Sequence, residues 1–123
     1  MLNIKKTLTK VLSDLTLTTF TISNPTMFIN GAGGYYKRGN VVFVNARLYV
    51  SGTFPANDYN TVSGTDSFPR PVLQSGLNVV WDYANSSSDA NAVINENGGL
   101  VVQSGSQALS ASTIYITGSY IAS

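Results

Sequence analysis

The chain has 123 residues, which fits one domain with a core of its own. Histidine and cysteine are both absent, which excludes disulfides, thiolate and imidazole metal sites, and nucleophile pairs of the Cys-His or Ser-His kind. Only 11% of the residues are charged, the formal net charge is +1, and four of the seven basic residues are dispersed beyond the N-terminal run. This distribution argues against a nucleic-acid partner, and so few charges favour self-association.

Residues 1–15 carry apolar side chains at alternating spacings of three and four, the pattern of a short helix with a heptad stripe. Two heptads are marginal as an isolated helix. The segment is therefore expected to be a frayed helix, a helix packed on its own sheet, or the stalk end of an oligomer. Residues 16–123 are expected to form the head domain. In the stalk arrangement the subunit contacts are made by Ile4, Leu8, Val11 and Leu15.

The N-terminus does not resemble a secretion signal. Positive charges precede apolar residues, but Thr9, Lys10, Ser13 and Asp14 interrupt the apolar stretch. No segment approaches the roughly twenty apolar residues of a membrane helix. We therefore expect no signal peptide, no transmembrane segment and no membrane insertion.

The first half of the chain predicts strands. A threonine-rich stretch with a period of two runs from Leu15 to Ile22, and Asn24-Pro25 ends it. The glycine cluster Gly31–Gly34 predicts turn geometry, because glycine adopts backbone conformations that other residues resist. A hairpin turn is then expected at Arg38–Asn40.

The central strand follows this turn and alternates regularly. One face is apolar throughout and predicts the core: Val42, Val44, Ala46, Leu48 and Val50. The opposite face carries Phe43, Arg47 and Tyr49 among polar residues. In a domain with so few charges, these three side chains are predicted at the subunit interface, with a ligand-binding surface as the alternative.

The second half continues the pattern. Proline-containing loops precede a strand at Leu77–Tyr83, Asn95–Gly99 is a hairpin signal, and Thr113–Ile121 is the last strand. About eight short strands separated by turn signals predict an all-β fold, an antiparallel β-sandwich or jelly roll with a short N-terminal helix.

One loop combines the residue types that bind sugars. Asp58, Tyr59 and Asn60 offer a flat ring beside planar polar groups. The polar loop that contains Asn85 and Asp89 would join them at the same end of a sandwich. The alternative is an ordinary turn in which Asn and Asp cap the local backbone.

Other sites have weaker support. Trp81 alternates with inward-facing apolar residues, which favours core or interface packing over sugar stacking. A glycosidase would need two carboxylates opposed across a cleft, and the spacing of the acidic residues along the chain does not reveal such a pair; loop acids without histidine partners favour a solvated surface instead. A calcium site at Asp58 and Asn60 lacks the glycine and the bidentate Glu of a defined loop. We therefore expect no catalytic residue, no metal and no cofactor.

Several segments resemble the small terminal domains of tail proteins from phages and prophages of Gram-positive bacteria. These segments are 3–12, 34–42, 70–71, 94–100 and 114–120. The resemblance implies a jelly-roll head, similar to the receptor-binding heads of tail fibres and to tumour-necrosis-factor-like folds. It implies a homotrimer in a virion or prophage-encoded particle, with a host cell-surface glycan and other tail proteins as partners. The alternative is a purely structural trimerisation module without a ligand.

Overall fold

A computed structural model describes residues 16–81 and 89–123. The predicted helix at residues 1–15, with its interface residues Ile4, Leu8, Val11 and Leu15, lies outside the described residues, as does Asn85. The described parts contain no helix and eight strands. The strands are β1 (Thr18–Thr19), β2 (Phe28–Arg38), β3 (Val41–Phe54), β4 (Tyr59–Thr61), β5 (Ser75–Trp81), β6 (Asn91–Ile94), β7 (Leu100–Gln103) and β8 (Leu109–Ile121).

All eight strands belong to one antiparallel sheet in the order β1-β2-β3-β8-β5-β6-β7-β4. The sheet curls around the core, and a hydrogen bond of 2.8 Å from the Ser23 amide to the Val62 carbonyl joins the segments that follow its two edge strands. The predicted all-β antiparallel fold of about eight strands is confirmed. The eight strands form one continuous curled sheet and not two separate sheets.

The core lies on the concave face of the sheet, and the alternation in β3 is confirmed. Val42, Leu48 and Val50 are fully buried, and Val44 and Ala46 are nearly so. From β8, Ile114 and Ile116 pack onto the same cluster. Each of the buried Val, Leu and Ile side chains contributes roughly 1.5–3 kcal/mol, so the two central strands supply much of the stability.

The glycine cluster lies inside β2 and does not turn the chain, in contrast to the prediction. Gly33 has φ of 81°, and a Cβ there would lie 2.1 Å from the Asn45 carbonyl oxygen of β3. The glycines therefore allow close approach of two strands. The turn falls at Gly39 and Asn40 as predicted, with Gly39 at φ of 58°.

The other predicted strands are found with shifted ends. The strand predicted from Leu15 to Ile22 is reduced to Thr18–Thr19, which pair with Tyr35 and Gly34 of β2. The hairpin at Asn95–Gly99 is confirmed between β6 and β7. Trp81 ends β5, where its backbone pairs with Ile114, and the packing of its ring stays a prediction. Within the described residues, no helix is long and apolar enough to cross a membrane.

Candidate functional site

The convex face of the sheet, turned away from the core, is called the outer face here. Because side chains alternate along each strand, one register position on every strand contributes to the same line across this face. The line that begins at Tyr59 in the edge strand β4 contains four amide side chains among its six members. It is named the amide row and consists of Tyr59, Gln103, Asn91, Asn78, Thr117 and Asn45.

Each member of the amide row is the direct cross-strand partner of the next. Tyr59 pairs with Gln103, Gln103 with Asn91, and Asn91 with Asn78. Thr117 then links Asn78 to Asn45 of β3. All six side chains are exposed. Five strand intervals of about 4.8 Å give the row a length of roughly 24 Å along the curled surface.

The chemistry of the row is uncharged and rich in both donors and acceptors. Each carboxamide offers an acceptor oxygen and two N–H donors, and the Thr117 hydroxyl offers one donor. None of the five polar side chains hydrogen-bonds another residue in the part of the chain that the structure describes. Tyr59 closes the row with a side chain that is 67% exposed. The row therefore presents a flat ring and a line of planar polar groups to solvent.

The loop that leads into Tyr59 is held by the segment that follows β7, residues 104–106. Ser104 is fully buried and exchanges hydrogen bonds with the loop: its hydroxyl donates to the Pro55 carbonyl and accepts from the Asp58 amide at 3.1 Å. The Ser104 amide also donates to the Asp58 carbonyl at 2.9 Å. Asn57, at φ of 55°, donates from its amide to the Gly105 carbonyl at 2.7 Å. These bonds hold the start of β4 in one position.

Asp89 contacts the same segment through its carboxylate. Its Oδ1 accepts hydrogen bonds from the Ser106 amide at 2.7 Å and from the Ser106 hydroxyl at 3.1 Å. The backbone bond from Ser106 holds the pKa of Asp89 below its usual value. Because Oδ1 of Asp89 already accepts two hydrogen bonds from Ser106, this side chain stabilises the 104–106 segment.

The predicted sugar-binding residues are thus partly assembled. Asp58 and Asp89 both attach to residues 104–106, and Tyr59 follows Asp58 directly, so these three lie at one end of the sheet. Asn60 is half-buried and is the cross-strand partner of Val102, which is buried. It therefore lies on the opposite side of β4 from Tyr59. It does not join them, because the short strand β4 alternates.

The three predicted interface residues of β3 all lie on the outer face. Phe43 is half-buried and stacks on Tyr36 of β2, with ring centroids 5.3 Å apart. Arg47 and Tyr49 border a depression of about 350 Å³. Nothing in the described chain tests a contact between subunits, so their role in assembly stays a prediction. No cluster of three or more acidic side chains that could hold a metal ion occurs within 16–81 and 89–123.

Sequence reasoning missed five of the six members of the amide row. The available signal was weak: Asn45, Asn78 and Thr117 occupy outward positions in strands whose inward positions are apolar. Which of these positions share a line depends on the strand order, in which β8 lies between β3 and β5. A comparison with known family models and with curated proteins finds no match for this chain.

Proposed function

We propose that this chain is the head domain of a non-enzymatic tail component of a phage or prophage, and that it binds a cell-surface saccharide of the host. The resemblance of several sequence segments to phage tail domains supports the setting, and the all-β fold is compatible with it. The observation that carries the binding role is the amide row, with Tyr59 at its end.

A saccharide matches this row in three respects. Its hydroxyl groups both donate and accept hydrogen bonds, as the carboxamides of Asn78, Asn91 and Gln103 do. Its C–H faces pack on an aromatic ring such as that of Tyr59. A chain of several sugar units fits a row of roughly 24 Å, which is five strand intervals long. A single small molecule would leave most of the row unoccupied.

We further propose that the heads assemble as homotrimers within the tail, together with other tail proteins. The supporting arguments are the low charge content of the chain and the heptad stripe at residues 1–15. Three copies would also present three amide rows to one cell surface. Simultaneous engagement raises the avidity without requiring tight binding at each row.

The test uses the full chain and polysaccharides released from bacterial cell walls, immobilised on a sensor surface. The double variant Asn78→Ala/Asn91→Ala removes the centre of the row. Gln74→Ala removes an exposed amide away from the row and serves as the matched control. We expect the wild type and the control to bind at least one polysaccharide, and the double variant to lose most of that binding. Equal binding by all three proteins would contradict the assignment.

A second candidate function, a structural trimerisation module without a ligand, is favoured by one patch. Val72, Leu73 and Ile121 are 58%, 73% and 53% exposed around a shallow depression of about 540 Å³. Exposed apolar clusters of this kind are typical of protein contacts. If Leu73→Ser lowers the mass seen by light scattering while no polysaccharide binds the wild type, the structural role is the better description.

A further inference from the structure

A depression on the outer face, beside the amide row, has the features of a separate binding pocket. Its volume is about 350 Å³, within the range of small-ligand sites. Arg47 borders it, two residues along β3 from Asn45 of the row, so the two positions are about 7 Å apart. The remaining lining residues are Asn30, Leu48, Tyr49, Thr113 and Tyr115.

The charge of Arg47 is not neutralised by the described chain. Arg70 forms an ion pair with Asp66. Arg47 forms no ion pair with any residue in 16–81 or 89–123. The described acidic residues all lie in loops outside the strands: Asp58, Asp66, Asp89 and Glu96. Within residues 16–81 and 89–123, the outer face around Arg47 therefore carries positive charge with no carboxylate beside it, which favours an anionic ligand.

The side chains around Arg47 suit a small acidic group attached to a sugar. Tyr115, directly opposite Arg47 in the register, is 40% exposed, and Tyr49 is half-buried. The phenolic hydroxyls can donate hydrogen bonds, and the rings offer apolar faces. The guanidinium group binds carboxylate and phosphate through two parallel N–H donors.

The rim of the depression includes a backbone irregularity. The register between β2 and β3 shifts between Ile29 and Ala32, and Asn30 within this bulge has φ of 54°. Positive φ is uncommon for residues other than glycine, and bulges often redirect a side chain next to a binding site. Here the bulge brings an exposed amide to the same depression as the guanidinium group.

We infer that this depression is an anion subsite, which binds a carboxylate or phosphate substituent of the saccharide that lies along the amide row. The inference rests on the proposed function and narrows its ligand to an acidic saccharide. It assigns Arg47 and Tyr49 to the ligand, so it is the alternative to their predicted place at a subunit interface.

The experiment measures binding of three oligomers to the full-length protein by calorimetry. The probes are oligogalacturonate with carboxylates, glycerol-phosphate oligomers with phosphodiesters, and uncharged dextran oligomers. Arg47→Gln removes the charge, Arg47→Lys keeps the charge without the fork, and Arg38→Gln removes another exposed arginine at the end of β2. We expect Arg47→Gln to weaken binding of at least one acidic probe by about tenfold or more, with Arg47→Lys intermediate and Arg38→Gln like the wild type.

The two acidic probes distinguish carboxylate from phosphate: the probe whose affinity falls more in Arg47→Gln carries the group that Arg47 contacts. The affinity of the wild type for that probe should fall as salt rises from about 50 to about 300 mM, because the site is exposed and its charge is screened. Dextran binding should not change in any variant.

Three results would overturn the inference. If Arg47→Gln binds both acidic probes as the wild type does while saccharide binding through the amide row persists, the anion subsite is wrong and the proposed function stands. If no oligomer or cell-wall polysaccharide binds the wild type, both are wrong. If Arg47→Gln lowers the assembled mass in light scattering, Arg47 belongs to a subunit interface.

Discussion

Replacing Ser104 by alanine tests whether the hydrogen bonds of its hydroxyl hold the loop in front of β4. Ser104 is fully buried, and its hydroxyl bonds both the Pro55 carbonyl and the Asp58 amide. The Ser104→Ala variant leaves these two backbone groups without that partner, which costs about 2 kcal/mol. An unfolding entropy of about 2.1 cal/mol/K per residue gives about 0.26 kcal/mol/K for 123 residues, so the melting temperature should fall by about 8 °C.

The assay is thermal unfolding followed by circular dichroism, with the protein concentration fixed because association would shift the melting temperature. Ser51→Ala is the control: its hydroxyl is exposed and donates to the Thr26 carbonyl at 3.0 Å, and not to the loop in front of β4. We expect this control to change stability by less than about 0.5 kcal/mol. If Ser104→Ala melts like Ser51→Ala, the loop is not held by the buried hydroxyl, and the support proposed for Tyr59 is wrong.

Three further predictions concern Tyr59 in the amide row, the close contact of Gly33 with β3, and the loss of stability at low pH. Tyr59→Ala should weaken saccharide binding about tenfold, since roughly 50 Å² of covered ring corresponds to about 1.3 kcal/mol, whereas Tyr59→Phe should bind like the wild type in calorimetry. Gly33→Ala should lower the unfolding free energy in urea by more than about 2 kcal/mol, because a Cβ would lie 2.1 Å from a β3 carbonyl oxygen, while Gly76→Ala meets open space and should be nearly neutral. Because the pKa of Asp89 is lowered by the Ser106 amide, its contribution to stability is present above the unfolded value of about 3.9 and is lost as the pH falls through the folded pKa. Asp89→Asn should therefore flatten the decrease in melting temperature below about pH 4, and an unchanged acid limb would contradict this.

The local features of the fold could be predicted from the sequence. The alternation of β3 and the hairpins at Gly39 and at Asn95–Gly99 depend on neighbours along the chain, which the sequence displays directly. The passage of β2 through the glycine cluster could not be predicted. The reason is that Gly33 is required by the carbonyl of Asn45 on the facing strand, and not by a turn.

The site was less predictable than the fold. Asp58 and Tyr59 were selected because their loop combines a ring with planar polar groups, and the structure places them next to each other at an exposed end. Asn60 falls on the other side, since the loop contains a short strand that its composition does not indicate. The amide row required knowledge that β8 pairs with both β3 and β5, and such long-range register is not written in any local pattern.

The most direct test of the central claim follows the side-chain carboxamide signals by nuclear magnetic resonance while cell-wall oligosaccharides are added to the full chain. The side-chain amide signals of Asn45, Asn78, Asn91 and Gln103 should all shift and should reach saturation at the same ligand concentration, because one ligand contacts them all. The signal of Gln74 should stay in place. If an oligosaccharide binds and the four signals of the row do not move, or if Gln74 moves and they do not, the amide row is not the binding site.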